Sequence, residues 1–168
     1  MSTKINYDPF KIVLCRTSHP GNIGSTARAI KTMGFEHLTL VNPKQFPHPD
    51  ADALAAGAED ILANATIVNS IEDALKDSHL IIGFTARQRE LSQPHQNIRE
   101  IAKGLKSESH SKKIALLFGN ETNGLSNDEI KHCHVLGYIN SNENYSSLNL
   151  AQAVQIICYE LRMNLSED

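Results

Sequence analysis

The sequence predicts one α/β domain built on a mainly parallel sheet with helices on both faces. Short, nearly continuous apolar runs recur along the chain, as strands covered on both sides require, and helical patterns lie between them. The 168 residues, 40% hydrophobic and 21% charged, match an ordinary domain in size and composition and exclude wholesale disorder.

In chain order, strands are expected at Lys11–Cys15, Leu38–Val41, Thr66–Val68, Leu80–Gly83, Ile114–Phe118 and Val135–Ile139. A helix from Ile23 to Met33 follows the Pro20-Gly21-Asn22 turn and stops at Gly34, a residue suited to the position after a helix. A second runs from Ile71 to Lys76 behind Asn69-Ser70, with an N-cap in Ser70. The last helix carries Leu150, Val154, Ile157 and Leu161 at helical spacing, which reads as a core-packing face. Lys103 to Lys113 is polar, rich in Ser and Lys, and reads as a surface loop. There is no internal repeat, and residues 1–168 are read as a single domain.

No apolar run approaches the ~20 residues of a membrane span, and the start lacks the apolar core of a secretion signal. Cys15, Cys133 and Cys158 are odd in number and lack C-x-x-C spacing. They argue against a disulfide framework or zinc site and for a reducing, cytoplasmic setting. The net charge of −3 is unlike a generic nucleic-acid binder. It hides two basic stretches, 1–49 and 81–113, each +4, set against acidic stretches 50–80 (−6) and 114–168 (−5). The basic stretches either converge into one patch or remain solvated surface charge.

Ligands of open parallel sheets bind beyond the carboxyl ends of the strands. Four polar segments fall there: Arg16–Gly24 with Arg28 one turn on, Phe84–Arg89, Phe118–Ser126 and Asn140–Asn149. Glycine lets a backbone approach a flat ligand, while Asn and Ser supply uncharged hydrogen bonds. Familiar alternatives lose support. G-x-G-x-x-G, the phosphate-binding G-x-x-x-x-G-K-[ST] and G-x-S-x-G are absent, and His132-Cys133-His134 has no second ligand cluster at finger spacing. No metal is expected.

Asn22-Ile23-Gly24-Ser25-Thr26-Ala27-Arg28, Leu117–Ser126 and Ser146-Ser147-Leu148-Asn149-Leu150-Ala151-Gln152-Ala153, in this order, resemble the three motifs of the SpoU (TrmH-like) class of SPOUT RNA 2′-O-methyltransferases. The resemblance spans about Lys11 to Met163. Within the class, Arg16–Gly24, Leu54-Ala55-Ala56-Gly57-Ala58 and Tyr145–Leu150 are most similar to the branch that methylates the first nucleotide of the tRNA anticodon loop. Members of that branch usually carry a further helical C-terminal extension, which these 168 residues do not include. The resemblance implies a C-terminal deep trefoil knot, which general rules of topology would not anticipate. It also implies a homodimer with the cofactor held in the knot at the subunit interface, S-adenosyl-L-methionine as cofactor, and tRNA as partner. Another tRNA position, a ribosomal RNA, or a knotted RNA-binding protein without catalysis are the alternatives.

Carried over residue by residue, the resemblance assigns the cofactor to Thr85, Ala86, Arg87, Gly119, Ile139, Ser146, Ser147 and Leu148. Arg28, Asn22, Glu121, Ser147 and Asn149 fall on the catalytic positions. Ser147 and Asn149 would order the knot loops, or simply cap the last helix. Glu121 would hold Arg28 or the cofactor loop. Arginine is a permanent cation, so Arg28 is read as binding substrate phosphate and stabilising a developing alkoxide rather than as a base. Lys31, Arg87, Arg89, Arg99 and Lys103 are the cations expected to meet RNA.

Overall fold

Alternation within the strands decides the layering. In β1 (Phe10–Cys15), Phe10, Ile12 and Leu14 point to one face and Val13 and Cys15 to the other, all fully or almost fully buried. β6 (Ile114–Phe118) repeats this with Ile114, Leu116 and Phe118 against Ala115 and Leu117. Strands that are apolar on both sides need helices on both sides, and two separate cores result.

The computed structural model describes residues 5–86, 95–108 and 112–166. After β1 come α1 (Pro20–Thr32), β2 (Leu38–Val41), α2 (Pro49–Ala55), α3 (Glu59–Ala63), β3 (Thr66–Val68), α4 (Ile71–Leu75) and β4 (Leu80–Phe84). Then follow β5 (His95–Asn97), α5 (Ile98–Glu108), β6, α6 (Asn127–Lys131), β7 (Val135–Tyr138) and α7 (Leu150–Leu165). The seven strands lie in the order β3-β2-β1-β6-β4-β7-β5, every pair parallel. The larger core sits under α1, α2, α5 and α7, and the smaller one under α4 and α6.

The six expected strands are present within a residue or two. Gly34 ends α1 with φ +90°, and the Ser70 hydroxyl accepts the Asp73 N–H at the head of α4. Three expectations need correction. Lys103–Glu108 is helix rather than loop: Ile98, Ile101, Ala102 and Leu105 form a buried stripe on α5, and the Lys and Ser residues are its solvent face. β3 is not covered on both sides. It is one of the two edge strands, with Ile67 half exposed. The short polar β5 extends the sheet beyond β7, where its pairing to Leu136–Tyr138 overrides a sequence with no strand pattern.

Candidate functional site

β4, β6 and β7 are neighbours, so the loops leaving their carboxyl ends converge. They enclose a cleft lined by Phe84, Thr85 and Ala86 after β4, Phe118 to Leu125 after β6, and Tyr138, Ile139, Ser141 and Ser146–Leu148 after β7, with Leu150, Ala153 and Ile157 of α7 closing one side. The floor is apolar: the rings of Phe84 and Phe118 stack with centroids 5.1 Å apart. The rim is polar and built of small residues. Every residue assigned above to the cofactor lines this cleft except Arg87, which lies outside the described residues, as does Arg89.

The loop after β6 owes its shape to contact of backbone on backbone. A Cβ on Gly119 would stand 2.1 Å from the Gly124 carbonyl carbon and 2.2 Å from the Leu125 nitrogen. Asn120 and Gly124 close the loop with two main-chain bonds of 3.2 and 2.9 Å, and Gly124 has φ +68°. Glycine is required there by the chain itself. The same holds for Gly24, whose Cβ would fall 2.0 Å from the Ala51 carbonyl oxygen, so α1 and α2 touch through their backbones. The segment Leu54–Ala58 turns the chain from α2 to α3 through Ala56 (φ +47°) and Gly57 (φ +100°).

The Arg16–Asn22 and Gly119–Ser126 segments are cross-linked. One Glu121 carboxylate oxygen accepts the Ser18 N–H at 2.8 Å, and the other accepts the His19 N–H and the Asn22 side-chain amide, both at 2.9 Å. His19 caps α1 without a side-chain bond and the first turn holds no acid, so Glu121 supplies from another loop the negative charge that a helix N-terminus favours. Burial pushes the Glu121 carboxyl up. The Ser18, Asn22 and His19 donors outweigh this and hold it below its ordinary value of 4.5. The Asn120 amide donates to the Arg16 carbonyl at 2.8 Å and to the Ser18 hydroxyl at 2.9 Å, while its oxygen accepts the Thr122 N–H at 2.9 Å.

Arg16 adds a bond that sequence reasoning missed. Its guanidinium grips Glu129 of α6 with both carboxylate oxygens, at 2.7 and 2.9 Å, and donates to the Gly124 carbonyl at 3.1 Å. Arg16 also has φ +56°, a left-handed conformation that costs a non-glycine residue roughly 1–2 kcal/mol. Glu129 is 5% exposed. It completes a capping box with Ser126, accepting the Ser126 N–H at 2.8 Å while the Ser126 hydroxyl accepts the Glu129 N–H at 3.1 Å. Burial raises the Glu129 carboxyl, and the Arg16 and Ser126 donors more than reverse that. The Ser126-x-x-Glu129 spacing was the available signal for this acid.

Arg28 stands apart. It projects from α1 into solvent, does not line the cleft, and has no hydrogen-bond or ion-pair partner among the described residues. Glu121 therefore holds Asn22 and the entry to α1, not Arg28. Asn149 caps α7, its oxygen accepting the Ala151 N–H at 3.0 Å, while Ser147 is exposed on the cleft rim. Among the cations expected to meet RNA, Lys31 is paired with Asp60 at 2.9 Å, Arg99 with Glu160 at 3.0 Å and Lys103 with Glu100 at 3.5 Å.

His132, Cys133 and His134 diverge. Buried Cys133, its thiol pushed up to about 12 by desolvation, packs beside Gly83, and His134 Nδ1 accepts the Ile81 N–H at 2.9 Å. His132 faces Glu72 and Asp128 at the surface, with their ligand atoms within 4.8 Å of one another. Cys15 and Cys158 are also free and buried. No helix among the described residues is long and apolar enough to cross a membrane.

A parallel α/β sheet with a ligand-sized cleft beyond β4, β6 and β7 defines a class of proteins that bind at strand carboxyl ends. The model of the SpoU rRNA Methylase family matches residues 9–159. The chain belongs to that family, as its three motifs indicated. It is 50% identical over 156 residues to the tRNA (cytidine/uridine-2′-O-)-methyltransferase TrmJ of Pectobacterium atrosepticum, a match covering 93% of this chain and 65% of that protein. This chain thus spans somewhat less than two thirds of that relative's length. The solved structure of a probable methylase family protein from Haemophilus influenzae Rd KW20 superposes with a TM-score of 0.88 at 48% identity, covering 94% of this chain and 66% of that one. The SpoU methyltransferase AviRb from Streptomyces viridochromogenes, solved in complex with the cofactor AdoMet, shares the fold at TM-score 0.76 and 22% identity, over 96% of this chain and 61% of that one.

Proposed function

We propose that this chain transfers the methyl group of S-adenosyl-L-methionine to a ribose 2′-hydroxyl of tRNA. The target in this reading is the cytidine or uridine that opens the anticodon loop, and the chain acts in the cytoplasm as a homodimer with a knotted C-terminal region. The supporting observation is convergence: seven residues assigned to the cofactor from sequence motifs share one cleft, and Glu121 on its rim binds Asn22 on the helix that carries Arg28. The name of the TrmJ relative supplies the tRNA and the ribose.

The cleft suits an adenosyl group. Its apolar floor of Phe84, Phe118, Leu125 and Ile157 matches a flat base, and small rim residues leave main-chain groups free to read the edge of the base. When bound, S-adenosyl-L-methionine supplies an already activated methyl group, so the protein's task is alignment rather than covalent chemistry. Gly119, Ile139 and Ser146–Leu148 hold the donor, while Asn22, fixed by Glu121, sets the entry to α1. Arg28, a free cation on that helix and outside this cleft, would act beside the cofactor of the second copy, binding a substrate phosphate and stabilising charge developing on the attacking oxygen. Thr85, Ala86 and Arg87 belong to the same donor site in this reading, and Asn149 orders the Ser147 side of it by capping α7. Tyr159 and Met163, half exposed one turn apart on α7, support a second copy covering that helix.

Calorimetric titration with S-adenosylhomocysteine, followed by methyl-transfer assays on bulk tRNA and ribosomal RNA, tests this reading. Arg28→Ala keeps S-adenosylhomocysteine affinity within about threefold, or ~0.7 kcal/mol, while abolishing most transfer. A near-normal rate in that variant overturns the role of Arg28, and transfer to ribosomal RNA alone overturns the substrate.

A further inference from the structure

Arg16 is the residue at which the α1 side of the site and the cleft side are tied most directly. Its carbonyl accepts from Asn120, its N–H continues the sheet by donating to Val41 at 2.8 Å, and its guanidinium reaches both Glu129 and the Gly124 carbonyl. Gly124 and its neighbour Leu125 line the cleft, and Gly119 is packed against them too closely to admit a methyl group. The Gly124 carbonyl therefore has two donors, the Asn120 N–H at 3.2 Å and Arg16 Nη2 at 3.1 Å. The fork cannot drift, because Glu129 is buried, held in turn by the Ser126 N–H and anchored in the capping box of α6. A planar guanidinium satisfies two carboxylate oxygens and a carbonyl at once. A lysine ammonium is a point charge and cannot keep that geometry.

We propose that Arg16, clasped by Glu129, is a positioning residue for the cofactor cleft: it fixes the Gly124–Leu125 wall against the Arg16–Asn22 loop, so the cleft keeps its binding shape only while the fork is intact. The proposal rests on the reading of the cleft as an S-adenosylmethionine site. Arg16 touches neither cofactor nor substrate in it and acts through the backbone it holds.

Calorimetry with S-adenosylhomocysteine on the full 168-residue chain tests this, using wild type, R16Q, R16K, E129Q and R16Q/E129Q beside their thermal melts. R16Q and R16K should each bind at least about tenfold more weakly, because both lose the fork whether or not charge is kept. The double variant should bind within about twofold of R16Q, because the pair acts as one unit. A merely structural brace would lower the melting temperature and leave affinity, measured well below the melt, within about twofold of wild type in every variant. That result overturns the proposal alone. A wild-type chain that binds no S-adenosylhomocysteine overturns the cleft reading and this proposal with it. If R16Q does not fold, R16K and E129Q decide by the same thresholds.

Discussion

The two walls of the cleft are built differently. The wall after β6 is tied to the loop after β1 by Glu121, Asn120 and Arg16, through bonds between residues about a hundred positions apart in the chain. The wall after β7 has no such ties among the described residues. Among the described residues, the hydrogen bonds of 140–149 are local: the Tyr145 N–H to the Asn142 carbonyl, the Asn144 N–H to the Asn142 side chain, and the Asn149 cap of α7. Tyr145 is 82% exposed. One wall is preformed by polar cross-links, and the other is held at its ends. Under the proposed reading, the first would set the position of ligand groups and the second would close on them, so that rigidity sits where α1 meets the loop after β6.

The preformed wall should break hardest where backbone meets backbone. Gly119→Ala places a methyl group inside contact distance of Gly124 and Leu125 and should destabilise the chain by about 3 kcal/mol, the upper end for overpacking. Urea denaturation reads this, and a loss under ~1 kcal/mol would mean the loop adjusts freely.

Glu121→Gln comes next. It keeps the size of the side chain but removes the charge from three donors, one of them at a helix N-terminus, and should cost about 1–3 kcal/mol at neutral pH. The pH dependence has a definite sign. Glu121 and Glu129 both titrate lower in the folded chain than their ordinary value of 4.5. Their stabilisation is complete above that value and is lost as the pH falls through the depressed folded values. Glu121→Gln should therefore flatten the acid side of the stability curve, and an unchanged acid limb would contradict the tie to Ser18 and His19.

How much of this could be read in advance follows the same division. The strand runs, the Gly34 stop and the Ser70 cap are local and apolar-patterned, so the order of elements was legible. The residues lining the cleft followed from the motif segments at strand ends. The pairing of Arg16 with Glu129, and of Glu121 with Ser18 and Asn22, was not legible, because each partner is chosen by the parallel alignment of β1 with β6 and not by spacing along the chain. α5 was hidden for another reason: its solvent face outnumbers its four-residue buried stripe, so a polar composition masked a helical period.

On the other wall, Ser147→Ala should move stability by no more than about 0.5 kcal/mol, because Ser147 is exposed and free of described hydrogen bonds. Its effect belongs in ligand binding, with S-adenosylhomocysteine weakened about three- to tenfold for one lost hydrogen bond. A large stability loss in this variant would remove the contrast between the walls.

Amide hydrogen exchange with and without S-adenosylhomocysteine tests the contrast most directly. The Ser18, His19 and Gly124 amides, bonded to Glu121 and Asn120, should be protected in the free chain and change little on binding. The amides of Ser141 to Ser147 should exchange fast when free and become protected when the ligand is bound. Equal exchange in both walls of the free chain, or protection of 18–19 and 124 appearing only with ligand, would contradict a cleft with one preformed wall and one that closes.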